Sequence, residues 1–137
     1  MQSQIMQSLS GILAFLAYFG GAIGLLVVFA GVYGLVTPYS EHTLIREGKT
    51  APAVSLGGAL LGFACPLASA IAHSVSLLDM IIWALIALVI QVLAFIVLRL
   101  FFGQVIKGIA EDKMGPAAFV AFVSVVVGLL NAASMTN

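Results

Sequence analysis

The sequence predicts an all-α integral membrane protein with four transmembrane helices, arranged as two parallel-repeat helical hairpins with both termini outside. Three observations carry that prediction. Of the 137 residues, 63% are hydrophobic and only 7% are charged, where an ordinary soluble domain has roughly a quarter charged. Four apolar stretches each reach the about 20 residues that a helix needs to cross a core of roughly 30 Å. Part of the chain also aligns with itself at an offset of 64 residues. The lipid bilayer is thus the first expected partner. Five Lys+Arg balance five Asp+Glu, which leaves no basic surplus for phosphates, so no nucleic-acid partner is expected. One cysteine and two distant histidines make neither an intramolecular disulfide nor a closed metal site, and no metal or cofactor is expected.

The first span covers about 9–36 and stops at Thr37-Pro38, where the proline ring and its missing N–H oppose further helix. Met1 to Ser10 lacks a positive n-region and precedes an apolar run too long for a signal peptide, so it is expected to be retained. The second span, about 51–73, opens with Pro52 in its first turn, where a missing amide proton costs nothing, and Pro66 inside it predicts a kink. The third, about 80–102, has Asp79 placed as an N-cap. The fourth, about 115–134, again opens with a proline, Pro116, and ends in the polar tail Met135-Thr136-Asn137. Nothing is left over for a soluble domain, and 1–137 reads as one four-span unit.

Every basic residue lies at one of two connections: Arg46 and Lys49 between the first two spans, Arg99, Lys107 and Lys113 around that between the last two. The positive-inside rule makes both connections cytoplasmic and the topology N-out/C-out. The 64-residue offset pairs Glu47 with Glu111, Lys49 with Lys113, Pro52 with Pro116 and Ala53 with Ala117. Both copies enter the membrane from the same side, which predicts a parallel repeat with halves of about 1–74 and 75–137 and a pseudo-two-fold along the membrane normal. A simpler reading also stands, in which any re-entering helix needs a proline and a flanking charge.

Membrane helices associate through close backbone approach and hydrogen bonds, so small residues mark the expected seams. Gly20 and Gly24 form a GxxxG in the first span, with Gly31 and Gly34 further along, and Gly58 and Gly62 form another in the second. Ala117, Ala121, Ser124 and Gly128 recur at near-helical spacing in the fourth. The third span has hardly a small residue and reads as lipid-facing or as the edge of an oligomer, with Trp83 in the interfacial belt.

Intramembrane polar contacts are expected at Gln91, Ser124 and Asn131; Gln91 and Ser124 lie at similar depth. A Gln–Ser bond of this kind is worth about 0.6 kcal/mol, and packing is its first reading, a pore or substrate contact its second. Cys65, Ser69 and His73, with Asn131 and Ser134, form an outer cluster that is the best candidate for a polar pocket. No span contains Asp or Glu, so the mid-membrane carboxylates of proton-coupled carriers are missing. There is no Walker A motif, Ser-His-Asp set or H-E-x-x-H, and Glu41, His42 and Glu47 in one loop lack a nucleophile, so no catalytic residue is assigned. The segment from Glu41 to Lys49 reads as a short amphipathic turn at the headgroups, with Leu44 and Ile45 dipping inward.

Thr37-Pro38, the loop ending Gly48-Lys49-Thr50-Ala51, the glycines Gly57, Gly58 and Gly62, Pro66-Leu67, Gln91 and Asn131-Ala132-Ala133 together resemble the DUF350 family of YjfL-like bacterial inner-membrane proteins. The resemblance covers essentially the whole chain. It implies a small four-span protein of the bacterial inner membrane, similar to ones linked to envelope stress of the phage-shock type and to membrane-scaffolding partners. It implies no activity, cofactor or catalytic residue. The expected function is a non-enzymatic subunit that assembles with itself or with a membrane-protein partner through its glycine seams. Arg46, Glu47, Lys49, Glu111 and Lys113 would be its cytoplasmic docking face. An oligomeric channel lined by Gln91, Ser124 and Asn131 is the alternative, and a small homodimeric carrier is a third reading, weakened by the lack of buried charge.

Overall fold

The computed structural model describes residues 1–135; the tail residues Thr136 and Asn137 lie outside the described residues. Six helices follow in order: α1 (Gln2–Val36), α2 (Glu41–Arg46), α3 (Thr50–His73), α4 (Leu77–Phe101), α5 (Gly103–Ala110) and α6 (Met114–Ser134). Four of them, α1, α3, α4 and α6, are long and apolar enough to cross a membrane. The short α2 and α5 fill the two connections and gather at one end of the bundle, called the loop end below.

The closest helix pair is α3 with α6, and the cause is absent side chains. A Cβ at Gly58 would fall on Ala121, one at Gly62 on the Ser124 carbonyl, and one at Gly128 on the Gly62 carbonyl. Pro66 contributes to the same contact. It lacks the N–H that the Gly62 carbonyl would otherwise accept, so that oxygen faces Gly128 of α6 across the seam. The expected stripes on the second and fourth spans therefore meet one another within one chain. α3 runs through Pro66 as an unbroken helix, with Pro66 buried.

The aromatic core lies to one side of this seam. Phe29 of α1 stacks on Phe63 of α3 at 4.7 Å between ring centroids, and Tyr33 tilts against Phe95 of α4 at 4.8 Å. Through Ala84, Ala87, Leu88 and Phe95, α4 packs on α1, α3 and α6. The third span thus packs on three helices through a face that Ala84 and Ala87 make small, and its other face, with Ile82, Leu85, Ile86 and Val89, is exposed, as a lipid-facing side would be.

The peripheral helix is α1. All residues up to Ala17 are exposed, and burial begins with Tyr18 and Ala22. A Cβ at Gly21 would lie 3.4 Å from Met80 and 3.6 Å from Leu77, at the start of α4, while the Val36 carbonyl at the other end accepts from Arg99 at 2.7 Å. The two helices run side by side in the same direction, and α1 overshoots the start of α4. At about 1.5 Å per residue, the exposed apolar stretch from Leu9 to Ala17 is about 12 Å long and lies beyond the first packed residue, Tyr18.

Two helix starts and one connection differ from expectation: α1 already begins at Gln2, well before the expected start at about residue 9. Asp79 is not an N-cap: Ser76 caps α4, accepting from the Asp79 N–H at 3.1 Å, while the Asp79 carboxylate accepts from the Val75 N–H at 3.0 Å. This differs from a capping box in that the carboxylate holds the N–H of the residue before the cap, and it starts the helix at Leu77, earlier than expected. The segment Gly103–Ala110 is a helix of its own, with Ile106 and Ile109 buried, where a plain connection was expected.

Candidate functional site

The two connections close in the same way, 64 residues apart. α2 ends with Lys49 donating to the Leu44 carbonyl and Gly48 to Ile45; α5 ends with Lys113 donating to Gly108 and Asp112 to Ile109. In each, the turn residue has positive φ, 86° at Gly48 and 63° at Asp112, as a helix end closed by a left-handed residue requires. The Asp112 carboxylate then reaches across to accept from the Ala51 N–H at 2.9 Å, tying the second connection to the start of α3. Around these turns Arg46, Glu47, Lys49, Glu111 and Lys113 are all exposed, and Lys113 pairs with Glu111 at 3.6 Å.

At the first connection the chain buries a carboxylate. Glu41 is only 6% exposed and Thr37 only 7%. The Thr37 hydroxyl lies 2.7 Å from Glu41 Oε1, 3.1 Å from the Gly34 carbonyl and 3.2 Å from that of Tyr39. Glu41 Oε2 and the Tyr39 hydroxyl are buried without a hydrogen-bond partner. Beneath them the Tyr33 hydroxyl and Ser55 of α3 are bonded at 3.3 Å. A groove of about 510 Å³ adjoins the cluster, lined by Ala30, Gly34 and Leu56 on its apolar side and by Glu41, His42 and Arg46 on its polar side.

Burial pushes the Glu41 carboxyl up from its ordinary 4.5 to about 7, against a smaller lowering by the Thr37 bond. Burial likewise holds the Tyr39 hydroxyl well above its usual range, with the neighbouring Glu41 charge adding to it. The sequence places Glu41 in a polar loop, and its burial was not expected. The available signal is the fixed distance from the helix-ending Thr37-Pro38, which folds Glu41 back over the last turn of α1.

The intramembrane polar residues lie elsewhere. Gln91 and Ser124 do come together, but the Gln91 amide donates to the Ser124 carbonyl at 3.3 Å and not to its hydroxyl. The other amide atom, Gln91 Oε1, is buried and unpartnered, and the contact is filled by Gly62, whose added Cβ would come within 3.0 Å of Gln91. Asn131 lies about two turns away along α6 and donates to the Ala87 carbonyl at 3.3 Å. Each pair joins α4 to α6. In the outer cluster Ser69 donates to the Ala132 carbonyl at 3.2 Å, and His73 lies 3.0 Å from the Ser69 carbonyl. These residues and Asp79 line a cavity of only about 30 Å³, about the liquid volume of one water. Added Cβ atoms at Gly20 and Gly24 would meet nothing within 4 Å, so this pair takes no part in an intrachain seam. No group of three His, Cys, Asp or Glu placed to hold a metal occurs among the described residues.

The profile of the family described as Domain of Unknown Function (DUF350) matches residues 7–135. The chain is 36% identical over 131 residues to the UPF0719 inner membrane protein YjfL of Escherichia coli (strain K12), covering 96% of this chain and 99% of the relative. It is 35% identical over 81 residues to the UPF0719 transmembrane protein YshE of Bacillus subtilis (strain 168), covering 59% of this chain and 60% of the relative. No solved structure matches.

Proposed function

The chain belongs to the DUF350 family and is a multi-pass inner-membrane protein, and on that premise we propose that it is a non-catalytic subunit that assembles with further copies of itself through α1. One observation carries the reading. The apolar half of α1, from Leu9 to Ala17, stands clear of its own bundle and overshoots the start of α4, with Phe15 stacked on Phe19 at 5.5 Å. This apolar stretch lies in the first candidate span, where lipid would also cover it, so a pairing here would be driven by close backbone approach and not by exclusion of water. The stretch runs directly into Gly20, Gly24 and Gly31, an empty small-residue face of the kind along which membrane helices approach closely. The same helix of a second copy supplies a matching surface.

The finer architecture belongs to this proposal. All five basic side chains lie at the two connections, and the positive-inside rule turns that end to the cytoplasm and leaves both termini outside. The identical turns closing α2 and α5 support the parallel repeat, as do Pro52 and Pro116 in the third positions of α3 and α6. The repeat is not carried into the whole packing, because α4 packs on α3 while α1 has no equally extensive contact with α6. In this reading Arg46, Glu47, Lys49, Glu111 and Lys113 face the cytoplasm as a docking surface, and the envelope-stress setting implied by the family resemblance supplies the class of partner.

Cysteine cross-linking in native membranes tests the assembly. In a Cys65→Ala background, single cysteines at positions 20, 24 and 31 are expected to give covalent dimers. Cysteines at 22 and 29, on the face packed against α3 and α4, are expected to give none. Equal cross-linking at all positions, or none at any with every cysteine reactive to a small thiol reagent, would refute it.

A further inference from the structure

We propose that Glu41 is a proton-binding site, a carboxylic acid that gives its hydrogen bond to Thr37 at the corner between α1 and α2. Pro38 sets the accounting. In an α-helix each carbonyl accepts from the N–H four residues on, so the Gly34 carbonyl would accept from residue 38, which is a proline with no N–H. The Thr37 hydroxyl stands 3.1 Å from that oxygen and 3.2 Å from the Tyr39 carbonyl. A threonine hydroxyl has one proton to give. Spent on either backbone carbonyl, it leaves Thr37 Oγ1 with lone pairs alone, facing Glu41 Oε1 at 2.7 Å. That is an ordinary O–H···O length, and the proton between the two oxygens then has to come from Glu41.

The second carboxyl oxygen agrees. Oε2 is buried with no partner, which is tolerable for the carbonyl of a neutral acid and costly for half of an anion. The groups around the carboxyl do not favour the anion either. Tyr33 of α1 and Tyr39 in the corner are neutral hydroxyls, and α3 contributes Ser55, already bonded to Tyr33. His42 and Arg46 of α2 line the adjoining groove but lie 3.5 Å from one another, and the ion pair seen among the described residues, Lys113 with Glu111, is on the other connection. Burial raises the carboxyl to about 7 even with the Thr37 bond counted as one that lowers it, so with Thr37 accepting instead the value lies higher still. The groove adjoins Glu41 on its polar side, beside His42 and Arg46.

When the proton leaves, Thr37 has to turn its hydroxyl to the carboxylate, and the Gly34 carbonyl loses its donor. The corner that ends α1 is therefore coupled to the protonation of one side chain. Infrared titration of the full chain in lipid nanodiscs tests this. With Glu47→Gln and Glu111→Gln in place and carbon-13 glutamate incorporated, Glu41 is the sole labelled carboxyl. The labelled carboxylic-acid band is expected to persist at mildly acidic pH and to vanish with a midpoint at or above about 7. Thr37→Val is expected to lower proton affinity about tenfold, since it removes a hydrogen bond that holds the neutral acid. A band already lost below about pH 5, where an ordinary glutamate has ionised, would overturn the proposal. So would a midpoint raised by Thr37→Val, the result expected if Thr37 donates to a carboxylate. The wild-type chain, labelled in the same way, gives a sum of three glutamates whose last step reads the same midpoint should the substituted chain fail to assemble.

Discussion

At the residue scale, the bundle depends on what certain positions lack. Gly128 and Gly62 let two backbones touch where any Cβ would collide with a carbonyl, so there is no flexible side chain to move aside. Gly128→Ala is expected to destabilise the chain by about 1–3 kcal/mol, the usual range for overpacking, measured by denaturant unfolding in mixed micelles. Gly24→Ala, with empty space around it, is expected to change intrachain stability by less than about 0.5 kcal/mol. Glu41 gives a second residue-scale prediction. Its folded value of about 7 lies above the ordinary 4.5, so the folded state holds the proton more tightly than the unfolded one. The stabilisation is full below the lower value and is lost as pH rises through the upper. The unfolding midpoint should therefore fall from mildly acidic to mildly alkaline pH in the wild type, and that fall should be absent from Glu41→Gln.

At the scale of elements, the two connections are built to one plan, and Asp112 does two jobs in the second. It takes a left-handed conformation, φ 63°, and its carboxylate holds the Ala51 N–H. Asp112→Gly should lose only the hydrogen bond, about 1 kcal/mol, whereas Asp112→Ala should also pay about 1 kcal/mol of backbone strain, an order that thermal unfolding reads directly. The long elements were legible from the sequence because apolar length and helix-opening prolines are one-dimensional signals: Pro52 and Pro116 mark α3 and α6 well. The capping of α4 was misassigned although Ser76-x-x-Asp79 carries it, because a carboxylate and a hydroxyl three residues apart both suit a cap and the apolar run alone does not choose between them. α5 was missed because eight residues are too few to span and its alternation serves an interface. The burial of Glu41 depends on the chain reversing after Pro38, and composition does not encode that reversal.

At the scale of the whole molecule, four membrane helices were foreseen and are present, but their roles differ from those their composition suggested. α4, poor in small residues, packs on the three other spans because Ala84 and Ala87 happen to fall on the packed face. α1, rich in glycine, is peripheral, and its seam residues Gly20 and Gly24 face away from the chain's own core. Gln91 and Asn131 were legible as contacts because an amide inside a membrane has to find a partner, yet both found backbone carbonyls, which no side-chain pattern announces. The glycine face and the overshooting apolar arm together make self-assembly through α1 the central claim. It is tested most directly by native mass spectrometry of the protein released from its own membrane in lipid nanodiscs. The account predicts a single homo-oligomer that falls to monomer when Gly20 and Gly24 are both replaced by leucine. A wild-type monomer at every concentration, or a complex containing one copy of this chain beside a different polypeptide, would contradict it.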